Sequence, residues 1–128
     1  MFQTILFPID PSRESQHAAE LVIDLARIYS SRLVLTFATA PDTPEEKQEG
    51  IAPFLEQVQV MFTNQGIETT LEPREGQPAF VICDVADDLK VDLIVMGCRG
   101  LGLTEEGLAD SVTNRVINLA PCPVLVVP

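Results

Sequence analysis

Asp92-Leu93-Ile94-Val95-Met96-Gly97 is the stretch on which the fold turns. Four consecutive large apolar side chains stand between a turn-forming aspartate and a glycine. Such a run has no polar face, so it suits a strand covered on both sides, as in a parallel sheet. Working outward, Thr4-Ile5-Leu6-Phe7-Pro8-Ile9, Arg32-Leu33-Val34-Leu35-Thr36-Phe37 and Pro123-Val124-Leu125-Val126-Val127 read the same way. A fifth run, Ile67-Glu68-Thr69-Thr70-Leu71, sets two apolar residues apart with polar ones and belongs at a sheet edge. Glu72-Pro73 is read as its end.

Helical spacing fills the intervals. Ala18, Leu21, Val22, Leu25, Ile28 and Tyr29 mark the first helix, and Ile51, Phe54, Leu55, Val58, Met61 and Phe62 the second. Ala79, Ile82, Val85, Ala86 and Leu89 mark the third, and Leu108, Val112, Val116 and Leu119 the fourth. Gln65-Gly66 reads as a helix stop. Strands alternating with helices predict an α/β fold: a three-layer α/β/α sandwich on a five-stranded parallel, Rossmann-like sheet with right-handed crossovers. At 128 residues, the chain is read as one domain over 1–128.

Charge narrows the function. Nineteen acidic side chains against 8 basic ones leave a formal net charge of −11. No basic stripe replaces the counterions of a nucleic acid or an anionic membrane, so neither is expected as a partner. An anionic ligand must be held by local donors against a repulsive background. Cys83, Cys98 and Cys122 have no metal or disulfide spacing, which fits a reducing compartment. The N-terminus lacks the basic region of a signal peptide, and no apolar run reaches about 18 residues. A soluble, cytoplasmic protein is expected.

In open α/β sheets ligands bind beyond the carboxyl ends of the strands, near the point where strand order reverses. That directs attention to Pro8-Ile9-Asp10-Pro11-Ser12, Ala38-Thr39-Ala40 and Met96-Gly97-Cys98-Arg99-Gly100. No phosphate-loop lysine motif, GxGxxG, HExxH or Ser-His-Asp grouping occurs, and His17 is the one histidine. A phospho-acceptor receiver domain matches the βα alternation but fails on residues, since Asp10 has no acidic neighbour after the first strand.

A longer pattern remains: Gly97-x2-Gly100, nine residues, Asp110-Ser111-Val112-Thr113-Asn114-Arg115, then Ala120-Pro121-Cys122-Pro123-Val124-Leu125-Val126-Val127. With the opening Ile5-Leu6-Phe7-Pro8-Ile9-Asp10-x-Ser12, it resembles the universal stress protein family over essentially the whole chain. The resemblance implies the same sandwich, of the adenine nucleotide alpha-hydrolase-like type. It implies an adenine-nucleotide-binding regulatory module, with ATP or AMP as ligand. Pro8, Ile9 and Asp10 would face the adenine, with Ala38 beside it, and the Met96-Gly97 turn would approach the ribose and α-phosphate. Gly97 and Gly100 would bring backbone N–H groups to phosphate oxygens. Arg99 would pair with a phosphate, and Ser111, Val112 and Thr113 would hold phosphates at the start of the fourth helix. The resemblance also implies a homodimer paired through the apolar C-terminal strand.

One position departs from the family's G-x2-G-x9-G-[ST] motif: the third glycine is Asp110. At a helix start Asp110 would be an N-cap accepting from the N–H of Val112 or Thr113, its carboxylate standing in the anion site. Glu105 and Glu106 add negative charge. Either a Mg²⁺ bridges Asp110 to the phosphates, or the ligand carries fewer of them, as AMP does. Two alternatives stay open: a nucleotide-free interaction protein self-capped by Asp110, and a slow Mg²⁺-dependent ATPase, although no catalytic base is in sight.

Other residues have ordinary readings beside sharper ones. Asp10 is a ligand residue or a turn residue before Pro11, and Ser12 reads as a helix N-cap. Cys98 is a redox-sensitive thiol or a small turn residue, and Cys83 and Cys122 read as buried packing. Asp84, Asp87, Asp88 and Asp92 form a metal-like cluster by sequence, but helical spacing puts the first three on a solvated face. His17 reads as a surface residue.

Overall fold

The computed structural model describes residues 1–9, 16–41, 44–97 and 106–128, with the backbone alone at 16, 46–48 and 106–111. Nine elements alternate: β1 (Thr4–Pro8), α1 (Gln16–Tyr29), β2 (Arg32–Thr39), α2 (Glu45–Thr63), β3 (Thr69–Glu75), α3 (Pro78–Asp88), β4 (Leu93–Gly97), α4 (Glu106–Leu119) and β5 (Val124–Val127). All strand pairs are parallel, in the order β3-β2-β1-β4-β5. The reversal of strand order falls between β1 and β4.

The continuous apolar runs work because successive side chains point to opposite faces. Ile5, Phe7, Leu33, Leu35, Leu93 and Val95 pack with α1 and α2. Leu6, Val34, Ile94 and Met96 pack with α3 and α4 on the other side. Fully buried Phe62 of α2 meets Phe7 of β1 edge-on, centroids 6.1 Å apart at 89°. Asp92, grouped by sequence with a carboxylate cluster, instead accepts hydrogen bonds at Oδ2 from the N–H groups of Gln3 (2.8 Å) and Thr4 (3.0 Å), tying the start of β1 to β4.

The third strand starts and ends later than its sequence pattern indicates, running on through Pro73 to Glu75. Residues 68 and 76 bond to β2, so the even positions face it and Pro73 turns its missing N–H outward. An edge strand tolerates that proline. The buried stripe of α1 runs through Ala18, Ala19, Val22 and Ala26, which leaves Ile28, at 72% exposed, outside it. On α4, Leu119 is likewise exposed. Gly66, with φ +80°, ends α2 as the sequence indicated.

The fourth helix begins at Glu106, so Asp110 falls in its second turn and is not the N-cap expected of it. The four-residue spacing of Leu108, Val112 and Val116 carries helical backbone back by one turn. Only the first four N–H groups of a helix lack an internal partner. The N–H groups of Val112 and Thr113 are therefore committed to the helix, leaving hydroxyls as its donors there.

Candidate functional site

The crossovers bring the carboxyl ends of β1 and β2 against the amino-terminal turns of α3. A shallow cleft forms there, lined by Pro8, Ile9, Thr36, Phe37, Ala38, Pro78 and Ile82 and partly open to solvent. Three residues expected at a ligand site, Pro8, Ile9 and Ala38, are thus brought together. Ile9 donates its N–H to Thr36 O at 2.9 Å, and the last rung between β1 and β2 is Pro8–Thr36. Strand alternation aims the N–H and C=O of Ala38 to the same side, beyond that rung. A planar base entering between Ile9 and Pro78 would meet one donor and one acceptor of fixed geometry there.

Thr36, Phe37, Pro78 and Ile82 were not singled out by sequence. Thr36 lies inside an apolar strand run, and its hydroxyl is used up on Glu72 O at 2.8 Å. Pro78 opens α3 two residues after Gly76, whose φ of +145° turns the chain from strand to helix. A Cβ at that glycine would stand 3.1 Å from Val81 Cγ2, so a larger residue strains the turn twice over.

The other expected residues divide. The Met96 side chain is wholly buried in the core beneath α3 and α4, so only its backbone is available to a ligand. Gly97 ends β4, half-buried, beside Val127. Val112 is half-buried against the α3 side of the sheet. Thr113 is 8% exposed, and its Oγ1 has no hydrogen-bond partner among the described residues. A buried hydroxyl left unpaired costs stability and fits a position that waits for an acceptor. Asp10, Ser12, Cys98, Arg99, Gly100 and Glu105 lie outside the described residues, as do the side chains of Glu106, Asp110 and Ser111.

Arg74 is the register partner of Ala38 on the next strand. It reaches Asp88 of α3 at 2.6 Å and Glu72 at 3.2 Å, and the Asp88 bond above all raises its pKa further. This pair ties the edge strand to the helix that walls the cleft. Asp84, Asp87 and Asp88 are all exposed on α3, and His17 is exposed on α1.

Cys83 is buried and Cys122 only half-buried, a modest departure from the buried reading. Burial first, then the Asp92 carboxylate and Cys83, push the Cys122 thiol up to about 11. Burial and then Asp84 raise Cys83 as well. A raised thiol stays protonated, and the thiolate is the reactive form. Iodoacetamide should therefore label both slowly at neutral pH in the folded protein, the Cys122 rate climbing about tenfold per pH unit toward pH 11. Peptide mass spectrometry reads this; rapid labelling of Cys122 at neutral pH would contradict it.

Fold and cleft together describe a parallel α/β sandwich with a candidate cleft at the carboxyl ends of β1 and β2. The universal stress protein family model matches residues 1–128, and the chain belongs to that family. It is 54% identical to a universal stress protein of Synechocystis sp., over all of this chain and 87% of that protein. A Thermus aquaticus universal stress protein is 35% identical, with 99% of each chain covered. Among solved structures, UspA from Lactobacillus plantarum superposes with TM-score 0.85 at 22% identity, covering 99% of this chain and 98% of that one. A universal stress protein in complex with cAMP gives 0.78 at 25% identity, covering 99% and 97%. The Archaeoglobus fulgidus protein in complex with dAMP gives 0.78 at 21% identity, covering 99% and 98%.

Proposed function

We propose that this chain is an adenine-nucleotide-binding regulatory module of the stress response, acting as a homodimer in the cytoplasm. The observation that carries the reading is the cleft at the carboxyl ends of β1 and β2, where Pro8, Ile9 and Pro78 form apolar walls beside the outward N–H and C=O of Ala38. The apolar walls take the base and the Ala38 backbone reads its edge. Thr113 Oγ1 supplies a hydroxyl donor on α4. Asp10, Met96, Gly97, Arg99, Gly100, Ser111 and Val112 complete the proposed set, on the strength of the motif. The cAMP and dAMP complexes of related folds support a ligand of the adenine mononucleotide class.

AMP is favoured over ATP because the α4 backbone offers fewer free N–H groups near Asp110 than the motif implies. Mg²⁺ would relieve Asp110 if ATP binds, and hydrolysis, if any, would be slow for want of a base. Dimerisation is supported by β5, a sheet edge on which Leu125 is 36% exposed, and by exposed Ile117 and Leu119 on the preceding helix. No helix among the described residues is long and apolar enough to cross a membrane.

Thermal denaturation with millimolar AMP, ADP or ATP, and sedimentation without ligand, test the reading. A raised midpoint with AMP and a dimer mass are expected. An unmoved midpoint with all three nucleotides contradicts the binding, and a monomer contradicts the pairing.

A further inference from the structure

Four seams join the five strands, and three of them run to the carboxyl ends. Rungs between β2 and β3 continue to Thr39–Glu75, those between β1 and β2 to Pro8–Thr36, and those between β4 and β5 to Gly97–Val127. The seam between β1 and β4 alone stops early, at Leu6–Ile94. Fraying does not account for this, because Pro8 and Gly97 are each still paired on their other sides. This short seam is the switch point of the sheet.

The direction of the hydrogen bonds supplies the cause. Ile9 N–H goes to Thr36 O and Gln3 O accepts from Arg32 N–H, so odd residues of this segment face β2. Thr4 O accepts from Asp92 N–H, so even residues face β4. In a parallel ladder the rung after Leu6–Ile94 needs residue 8 to donate to the carbonyl of Val95. Residue 8 is a buried proline, which has no N–H and puts its ring Cδ where the hydrogen would be. A proline in a central strand ordinarily costs a ladder bond for nothing. At this rung it keeps the chains beyond it, Ile9 on one side and Gly97 on the other, from zipping together.

We infer that Pro8 is a positioning residue that holds open the β1–β4 seam for the ligand, an inference that rests on the nucleotide reading above. Pro8 acts here through the main chain, apart from any contact its ring makes in the cleft. Given an N–H at residue 8, the ladder gains a rung across the crevice. A ligand must then break that rung to enter.

The test uses Pro8→Ala and Pro8→Val, with amide hydrogen exchange at residue 8 and calorimetric titration with AMP. In both variants the new amide should be protected to the level of Leu6, and AMP affinity should fall about tenfold, the net worth of one hydrogen bond. The melting temperature should move by no more than a few degrees, since the gained bond offsets the lost restraint of proline on the unfolded chain. A residue 8 amide that exchanges freely would show that the diverging crossovers alone keep the seam open, and overturns the inference. So does wild-type affinity in Pro8→Val, which keeps an apolar side chain in the cleft. If the parent protein takes up no AMP, the nucleotide reading fails instead, and amide protection alone decides the claim about the seam.

Discussion

Replacing Asp110 by glycine should raise ATP affinity about a hundredfold. Two unit charges 4 Å apart at an effective dielectric near 20 interact by about 4 kcal/mol, and salt and side-chain freedom reduce that at a site open to water. Asp110 stands where the family motif has glycine, within α4 and next to Ser111. On the nucleotide reading, its negative charge would repel each phosphate that the motif brings to Ser111 and Thr113. AMP, with less charge, should gain less. Glycine is poorer than aspartate in a helix interior by only about 0.3 kcal/mol, so the melting temperature should fall by no more than about two degrees while affinity rises. Asp110→Ala separates the two effects: it removes the charge and keeps helix propensity. Equal gains in both variants identify charge as the cause, and a gain in glycine alone identifies backbone freedom. Titration calorimetry with ATP reads either; no gain in either variant would mean that Asp110 does not face the phosphates.

Phe62→Ala should cost about 4 kcal/mol, a large share of the 5–15 kcal/mol by which domains of this kind are stable. Phe62 is wholly buried and stacks edge-on with Phe7, so its loss leaves a cavity between α2 and the central strand. The helix cannot settle into the gap easily, because Phe62 O also accepts from the N–H groups of Gln65 (3.0 Å) and Ile67 (3.2 Å) in the turn before β3. Urea unfolding should show a lower midpoint at an unchanged slope. Met61→Ala, at the exposed neighbouring position, should shift the midpoint little. Similar losses in the two variants would contradict the packing described.

Much of this architecture was legible because buried parallel strands have an unmistakable pattern. Residues 93–96 and 4–7 are short, almost wholly apolar and bounded by turn or strand-ending residues, which suits strands covered on both faces, and Gly97 marks the carboxyl end of the fourth. The third strand was harder. Its polar and apolar residues alternate only loosely, and Pro73 reads as a stop until the direction of its N–H is known. The start of α4 was misread because an aspartate before Ser111 looks like a cap, while the Leu108–Val112–Val116 spacing already placed the helix further back. Asp92 looked like a member of an acidic cluster, since its partners, the amides of Gln3 and Thr4, are distant in sequence. The α3 wall of the cleft, Pro78 and Ile82, depends on how a crossover packs, which no local pattern encodes.

Adenine-nucleotide binding at the switch point is tested most directly by titrating the unaltered protein with AMP in a calorimeter, while following the amide signals of Ile9 and Ala38 by NMR. Saturable heat, with shifts at both amides that inorganic phosphate alone does not produce, is the expected result. Absence of heat at millimolar AMP, or heat with both amides unmoved, would contradict it.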